Sequence, residues 1–403
     1  MSATVAATRF SPAEMARRYE LVRGLMDEHG LEALVVFGSS GMNRHDNVNA
    51  FWLSQWLDRH HCYLVVPRAE DAEPALYVGY ANHLPNALEV SDVPVIEWGG
   101  YEAGDAVARR LRELGVVRRR VGLVGVSHVW TMGMPWQHYV RLRELLPEVE
   151  PVDVTAAYAK LRVVKSEEEV ERLRGAAALS DLAMLALQEA ARPGVAEFEL
   201  VAIAEDAYRR RGGDVRISFL RSMPMDAPTG CVPSQDPSAR RLERGDVVIT
   251  ELSASLHGYS GQVHRPVFVG AEPTDEWLRM FETAREAYER VARGMTPGST
   301  EGDVIRNAAV IGERGYRIYD DLVHGYGTDI HPPLVDRSCV DHWLNGTEPP
   351  PGRTFERGMA IVIQPNPITP DERMGLQLGA LTVVEEDGAV CLHGIPFEPL
   401  LAG

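Results

Sequence analysis

The stretch GDVVITELSASLHGYSGQVHRP, running from Gly245 to Pro266, decides the fold. Two β-type runs flank a polar tip at His257-Gly258, which is the pattern of a β-hairpin. On the returning strand Gln262 and His264 are two positions apart and so face the same side of the sheet. Four further segments follow in order: His324-Gly325-Tyr326-Gly327, His331-Pro332-Pro333, the run from Gly358 to Pro365, and Thr382 to Gly388. In the last of these, Glu385-Glu386-Asp387-Gly388 has the chemistry of a second hairpin turn.

Upstream, Ser166 and Glu169 form a capping box that opens a long helix reaching about Ala191. Before it lies a separate α/β pattern. Ser11 to Glu14 caps a helix that Gly30 can close, and Ala33–Phe37, Tyr63–Val66, Leu76–Val78 and Val121–Val124 are short, β-rich runs bounded by turn residues. Helical patterns at Ala103–Leu114 and Trp136–Leu146 alternate with them. The boundary falls near residue 158, giving domains of 1–157 and 158–403. The second domain carries an internal echo. Pro193-Gly194 and Pro297-Gly298 each precede an amphipathic helix that ends at an Arg-Gly pair, Arg211-Gly212 and Arg314-Gly315. Two halves related by a pseudo-two-fold are expected.

A chain of 403 residues suits two cores, and 45% hydrophobic with 25% charged residues is the composition of a globular protein. The net charge of −17 argues against nucleic acid or an anionic membrane as partner, since both require a basic face. Cys62, Cys231, Cys339 and Cys391 are widely spaced, the usage of a reducing compartment, and a cytoplasmic protein is expected.

Five motifs in this order resemble the family of methionine aminopeptidase, prolidase, aminopeptidase P and creatinase, from about Leu161 onward. The resemblance implies an N-terminal creatinase-like α/β domain followed by a pita-bread α+β domain, in a homodimer. It also implies a ligand set for two divalent ions: two aspartates, a histidine and two glutamates. Position by position these fall on Glu251, Gln262, His324, Gln364 and Gly379. Of the family's four carboxylates one remains, too little anionic oxygen for paired dications. Nor does the resemblance transfer creatinase's own catalytic histidine, whose position falls near Ser234.

The expected function is therefore a metal-independent, creatinase- or ectoine-hydrolase-like enzyme for a C–N bond in a small polar substrate, with no metal and no cofactor. Glu251, paired with His264 or His324, would activate water, and His331 would bind or protonate the substrate. Gln262 and Gln364 would orient it, with His60, in the segment Arg59-His60-His61, as a further substrate contact. Arg265 would support its strand. Two alternatives stand beside this reading: a catalytically silent module that binds a ligand or protein, and a residual mononuclear metallohydrolase of Xaa-Pro peptidase type.

Overall fold

The computed structural model describes residues 9–39, 47–126 and 133–403. The chain divides into two compact units, Ala7–Arg162 and Val163–Gly403, slightly C-terminal to the expected boundary.

The first unit begins with α1 (Pro12–His29). Ser11 caps it by accepting from the Glu14 amide, and Gly30 ends it in the left-handed conformation at φ 62°. The strands β1 (Ala33–Ser39), β2 (His61–Pro67), β3 (Ala75–Val78), β4 (Val95–Trp98), β5 (Arg120–Val124) and β6 (Glu150–Asp153) form one sheet in the order β4-β3-β2-β1-β5-β6. The edge strands β4 and β6 escaped the sequence reading, being short and carrying charged or half-exposed residues. Helices α2 (Val48–Ser54), α3 (Leu84–Val90), α4 (Ala103–Glu113), α5 (Trp136–Leu145) and α6 (Thr155–Lys160) complete the unit. Two apolar clusters, one holding Leu34, Val36 and Trp52 and the other Val35, Phe37 and Leu111, take alternate residues of β1, as period-two strands require.

The second unit opens on α7 (Glu167–Ala190). At its start Ser166 accepts from the Glu169 amide and the Glu169 carboxylate returns to the Ser166 amide. Then come α8 (Glu197–Arg209), β7 (Asp214–Pro224), β8 (Asp246–Leu256), β9 (Tyr259–His264) and β10 (Val267–Val269). The other half contains α9 (Asp275–Gly294), α10 (Glu301–Asn307), α11 (Val310–Glu313), β11 (Arg317–Ile318), β12 (Val323–Gly325), β13 (His331–Val335) and α12 (Cys339–Asn345). It continues through β14 (Ala360–Ile363), β15 (Pro367–Ile368), β16 (Gly379–Glu385), β17 (Gly388–Cys391) and β18 (Leu400–Ala402). The main sheet runs β13-β12-β14-β16-β9-β8-β10-β18, with β7 paired to β8 and β17 to β16.

The expected internal repeat is present. Gly194 and Gly298 take φ 93° and 91° in their Pro-Gly turns, and Gly212 and Gly315 take 82° and 81° at the far ends of the helices that follow. The Gly194 amide donates to Leu242 O at 2.8 Å and the Gly298 amide to Phe355 O at 2.9 Å, so each turn is fastened to its half in the same way. The deciding hairpin is also as read. His257 and Gly258 both have positive φ, 48° and 80°, the requirement of a two-residue turn whose twist matches its strands.

Among the described residues no helix is long and apolar enough to cross a membrane. All four cysteines are free, and three of them are buried.

Candidate active site

The hairpin sets the site. Ser253 on β8 opposes Gln262 on β9, so Glu251, Ser253, Gln262 and His264 share one face of the sheet. Strands β14 and β12 bring in the rest, with His324 opposite Val362 and Gln364 following directly on β14.

The Gln262 amide is the hub. Its Nε2 donates to Glu251 Oε1 at 2.9 Å and to His264 Nε2 at 3.1 Å, and lies 3.4 Å from Gln364 Oε1. No direct Glu251–His264 pair exists in this arrangement, because the amide lies between them. A ring nitrogen that accepts from Gln262 carries no proton of its own. Burial, then the neighbouring His324 and Arg265, push the His264 imidazole down to about 3. His264 is thus neutral across the working pH range and acts as an acceptor that orients Gln262.

Glu251 moves the other way. Burial, reinforced by the charges of Asp321 and Asp320, raises its carboxyl to about 8. At neutral pH it holds its proton. Asp321 is the residue the sequence reading missed. Its Oδ1 accepts from Gln364 Nε2 at 2.9 Å, and its Oδ2 lies 3.9 Å from His324 Nε2. Burial and Asp320 raise the Asp321 carboxyl, while His324 and the Gln364 hydrogen bond oppose the shift. The available signal was the Asp320-Asp321 pair directly ahead of the apolar Leu322-Val323. An acid shielded at the mouth of a buried strand, as Asp321 is and the exposed Asp320 is not, is costly unless it has a use. The carboxylate beside His324 is therefore Asp321, whereas Glu251 had been expected in that role. Asp321 Oδ2 and Gln262 Oε1 are buried without a hydrogen-bond partner, leaving polar atoms able to receive a ligand.

His324 is buried, with Nδ1 3.2 Å from Gly325 O and its ring edge-on to Tyr326 at 5.3 Å. His331 is fixed differently. Its Nδ1 donates to Pro332 O at 2.8 Å, and its Nε2 lies 3.1 Å from Lys165 Nζ. With an ammonium donating to Nε2, His331 is a neutral acceptor, suited to holding Lys165 and unsuited to protonating a substrate. His60 belongs to the first unit, where its ring lies 4.0 Å from Tyr80 and 5.7 Å from His83. Arg265 has the supporting role expected of it. Fully buried, it donates to the carbonyls of His264, Gly379, Ile395 and Pro396 and ties β9 to β16 and the C-terminal segment.

The paired ions that the resemblance implies do not fit this donor set. Gln262 and Gln364 are neutral, and Gln262 turns its donor toward Glu251. The fifth position is closed outright. A Cβ built on Gly379 would sit 2.7 Å from Ile363 O and 2.9 Å from Gln364 Cα, so no glutamate side chain enters there without moving β14. Among the described residues no group of three or more His, Cys, Asp or Glu is arranged to hold a metal ion.

Comparison with known proteins places the chain. Residues 171–386 match metallopeptidase family M24, and residues 18–164 match the creatinase/prolidase N-terminal domain. The Xaa-Pro dipeptidase of Pyrococcus furiosus is 24% identical over 379 residues, covering 93% of this chain and 97% of the relative. The probable dipeptidase PepE of Mycobacterium tuberculosis is 27% identical over 407 residues, covering 97% of both. Among solved structures, the prolidase from Pyrococcus horikoshii superposes with a TM-score of 0.76 at 20% identity, over 94% of this chain and 99% of that one. The expectation of a metal-independent, creatinase-like enzyme for a non-peptide C–N bond is corrected by these relatives. They are named as dipeptidases and Xaa-Pro dipeptidases, and the family as one of metallopeptidases. What the residues support is narrower, a donor set unsuited to two ions. With the M24 match spanning more than half of its length, this chain belongs to metallopeptidase family M24 and carries that family's creatinase/prolidase-type N-terminal domain.

Proposed function

We propose that this chain hydrolyses the peptide bond of a short Xaa-Pro-type substrate, with Glu251 and Asp321 dividing the proton work. One observation carries the reading. Two interacting carboxyl groups, Glu251 at a family ligand position and Asp321 beside His324, flank the Gln262–Gln364 pair, and burial with the charges of Asp321 and Asp320 drives Glu251 to about 8, so that it is an acid at neutral pH. The likeness to Xaa-Pro dipeptidases over nearly the whole chain supports the substrate class.

In this reading Asp321, steadied by Gln364 and beside His324, takes a proton from water as its oxygen attacks the carbonyl carbon. Glu251 gives its proton to the amide nitrogen as the C–N bond breaks, releasing a carboxylic acid and an amine. The orphaned Gln262 Oε1 is a ready acceptor for a substrate N–H. No step is assigned to a metal ion, because the residues present do not fit the family's pair. We also read the chain as a cytoplasmic homodimer. The support is its full-length likeness to prolidases and cysteines that are all free.

The test is release of proline from Ala-Pro, measured on the purified chain with and without added manganese, and on Glu251→Gln and Asp321→Asn. Turnover that falls at least 100-fold in both variants supports the assignment. Undiminished turnover in either variant removes that residue from the chemistry.

A further inference from the structure

Behind His264 a chain of polar groups leads away from the site, and the proposed chemistry does not use it. Its far end is the carbonyl of Cys231, which Gln377 reaches with its amide nitrogen Nε2 at 3.4 Å. That carbonyl is held in place. The neighbouring Gly230 bridges to Met374, and a Cβ added at Gly375 would collide with the Cys231 oxygen. A backbone carbonyl can only accept, so Gln377 turns its NH2 toward Cys231 and keeps its own oxygen for the opposite side.

On that side stands His264. Its partner across β9 and β16 is Gly379, and Gln377, two positions earlier, falls on the same face. Gly379 has no side chain to separate them, and Gln377 lies within hydrogen-bonding reach of the His264 ring. His264 Nε2 faces Gln262 at 3.1 Å, so Nδ1, which meets no other partner among the described residues, is the nitrogen left for Gln377. The order of donors then has one solution. The Gln377 oxygen takes the proton on His264 Nδ1, Nε2 keeps its lone pair, and the Gln262 NH2 donates to that lone pair. Gln262 Oε1 is thereby turned away from His264, where it stands buried and unpartnered. Reversing any one link would set two donors or two acceptors against each other among buried groups, which is costly.

We propose that Gln377 is a positioning residue: anchored on the Cys231 carbonyl, it fixes the His264 tautomer and so holds the Gln262 oxygen toward the substrate. This rests on the peptidase reading above, in which that oxygen receives a substrate N–H. The chain of bonds also sets what the site selects. With the oxygen presented, a ligand that brings an N–H donor is accepted, as the free amino group of a dipeptide does. With the amide reversed, its NH2 would confront that donor and binding would weaken.

The experiment reads the tautomer directly. Nitrogen NMR of the full chain with isotope-labelled histidine is compared for wild type, Gln377→Met and Gln377→Glu, the His264 signals being assigned by their loss in His264→Gln. Ala-Pro hydrolysis is followed on each protein in parallel. Wild type should carry the His264 proton on Nδ1. Gln377→Met, which removes the acceptor, should shift the proton toward Nε2 and raise KM for Ala-Pro about tenfold with kcat little changed. Gln377→Glu, which keeps an acceptor in either protonation state, should restore the wild-type tautomer and most of the lost affinity. A wild-type proton on Nε2, a proton unmoved in Gln377→Met, a shifted tautomer with unchanged KM, or a Gln377→Glu that behaves like Gln377→Met overturns the inference. Should Gln377→Met not fold, the other two proteins still decide: Nδ1 in both supports it, and Nε2 in either overturns it. A tautomer that follows Gln377 in a protein that leaves Ala-Pro intact would sink the peptidase reading alone.

Discussion

Replacing Glu251 by glutamine should make the protein more stable above neutral pH while removing its activity. The side chain keeps its shape and its acceptor toward Gln262 but can no longer ionise. Glu251 has its carboxyl raised from an ordinary 4.5 to about 8. A carboxyl raised in the folded state stays protonated there while its unfolded counterpart ionises. Its contribution is fully favourable below about pH 4.5 and is lost as pH climbs to about 8. At about 1.4 kcal/mol per pH unit the ceiling on that loss is about 5 kcal/mol. The side chain is only partly buried, and solvent access lowers the expected gain for Glu251→Gln to about 2–4 kcal/mol above pH 8. Near pH 4 wild type and variant should be equally stable. The assay is urea unfolding of both proteins, followed by circular dichroism at several pH values between 4 and 9. A stability difference that is flat with pH, or a variant no more stable than wild type at pH 8.5, would refute both the raised carboxyl and the burial argument behind it. Turnover should fall above pH 8 as the acid ionises, by about tenfold per pH unit.

Asp321→Asn removes a charge that helps raise Glu251, so the alkaline limit of the stability loss should move down by about one pH unit; an unmoved limit would show that the two groups do not interact. Gly379→Ala should destabilise the fold by about 1–3 kcal/mol, since its Cβ meets Ile363 O at 2.7 Å, and a neutral result by thermal melting would mean that β14 gives way freely. After equilibration with manganese and desalting, elemental analysis should find fewer than two ions per chain, and a stable pair would contradict the donor-set argument. Light scattering should give the mass of two chains, and a monomer would end the dimer reading.

The hairpin at Gly245–Pro266 was legible because a two-residue turn imposes its own chemistry and because register fixes which residues share a face. His257 and Gly258 mark the turn, and Gln262 with His264 follow from period two. The N-cap at Ser11 and the capping box at Ser166 were equally plain, since a cap is a local hydrogen bond between residues three apart, although the Glu14 carboxylate turns to Arg17 and Arg18 and does not complete a box at Ser11. The paired Pro-Gly turns identified the two halves for the same reason. The short strands β4 and β6 were not legible. Edge strands bury too little for their residues to show a pattern, and their pairing with β3 and β5 spans distant parts of the chain.

The sequence alone determined what each motif position could offer: a carboxylate at 251, amides at 262 and 364, no side chain at 379. Residue type alone thereby settled the charge those five positions can offer a metal pair. Tertiary structure decided which groups meet and in what protonation state. Asp321 comes beside His324, and its charge reaches Glu251, only because β12, β14 and β8 lie in one sheet; Lys165 holds His331 neutral across the fold. A side chain's chemistry is written in its residue type, whereas its pKa and its partners depend on burial and on charges brought near by folding.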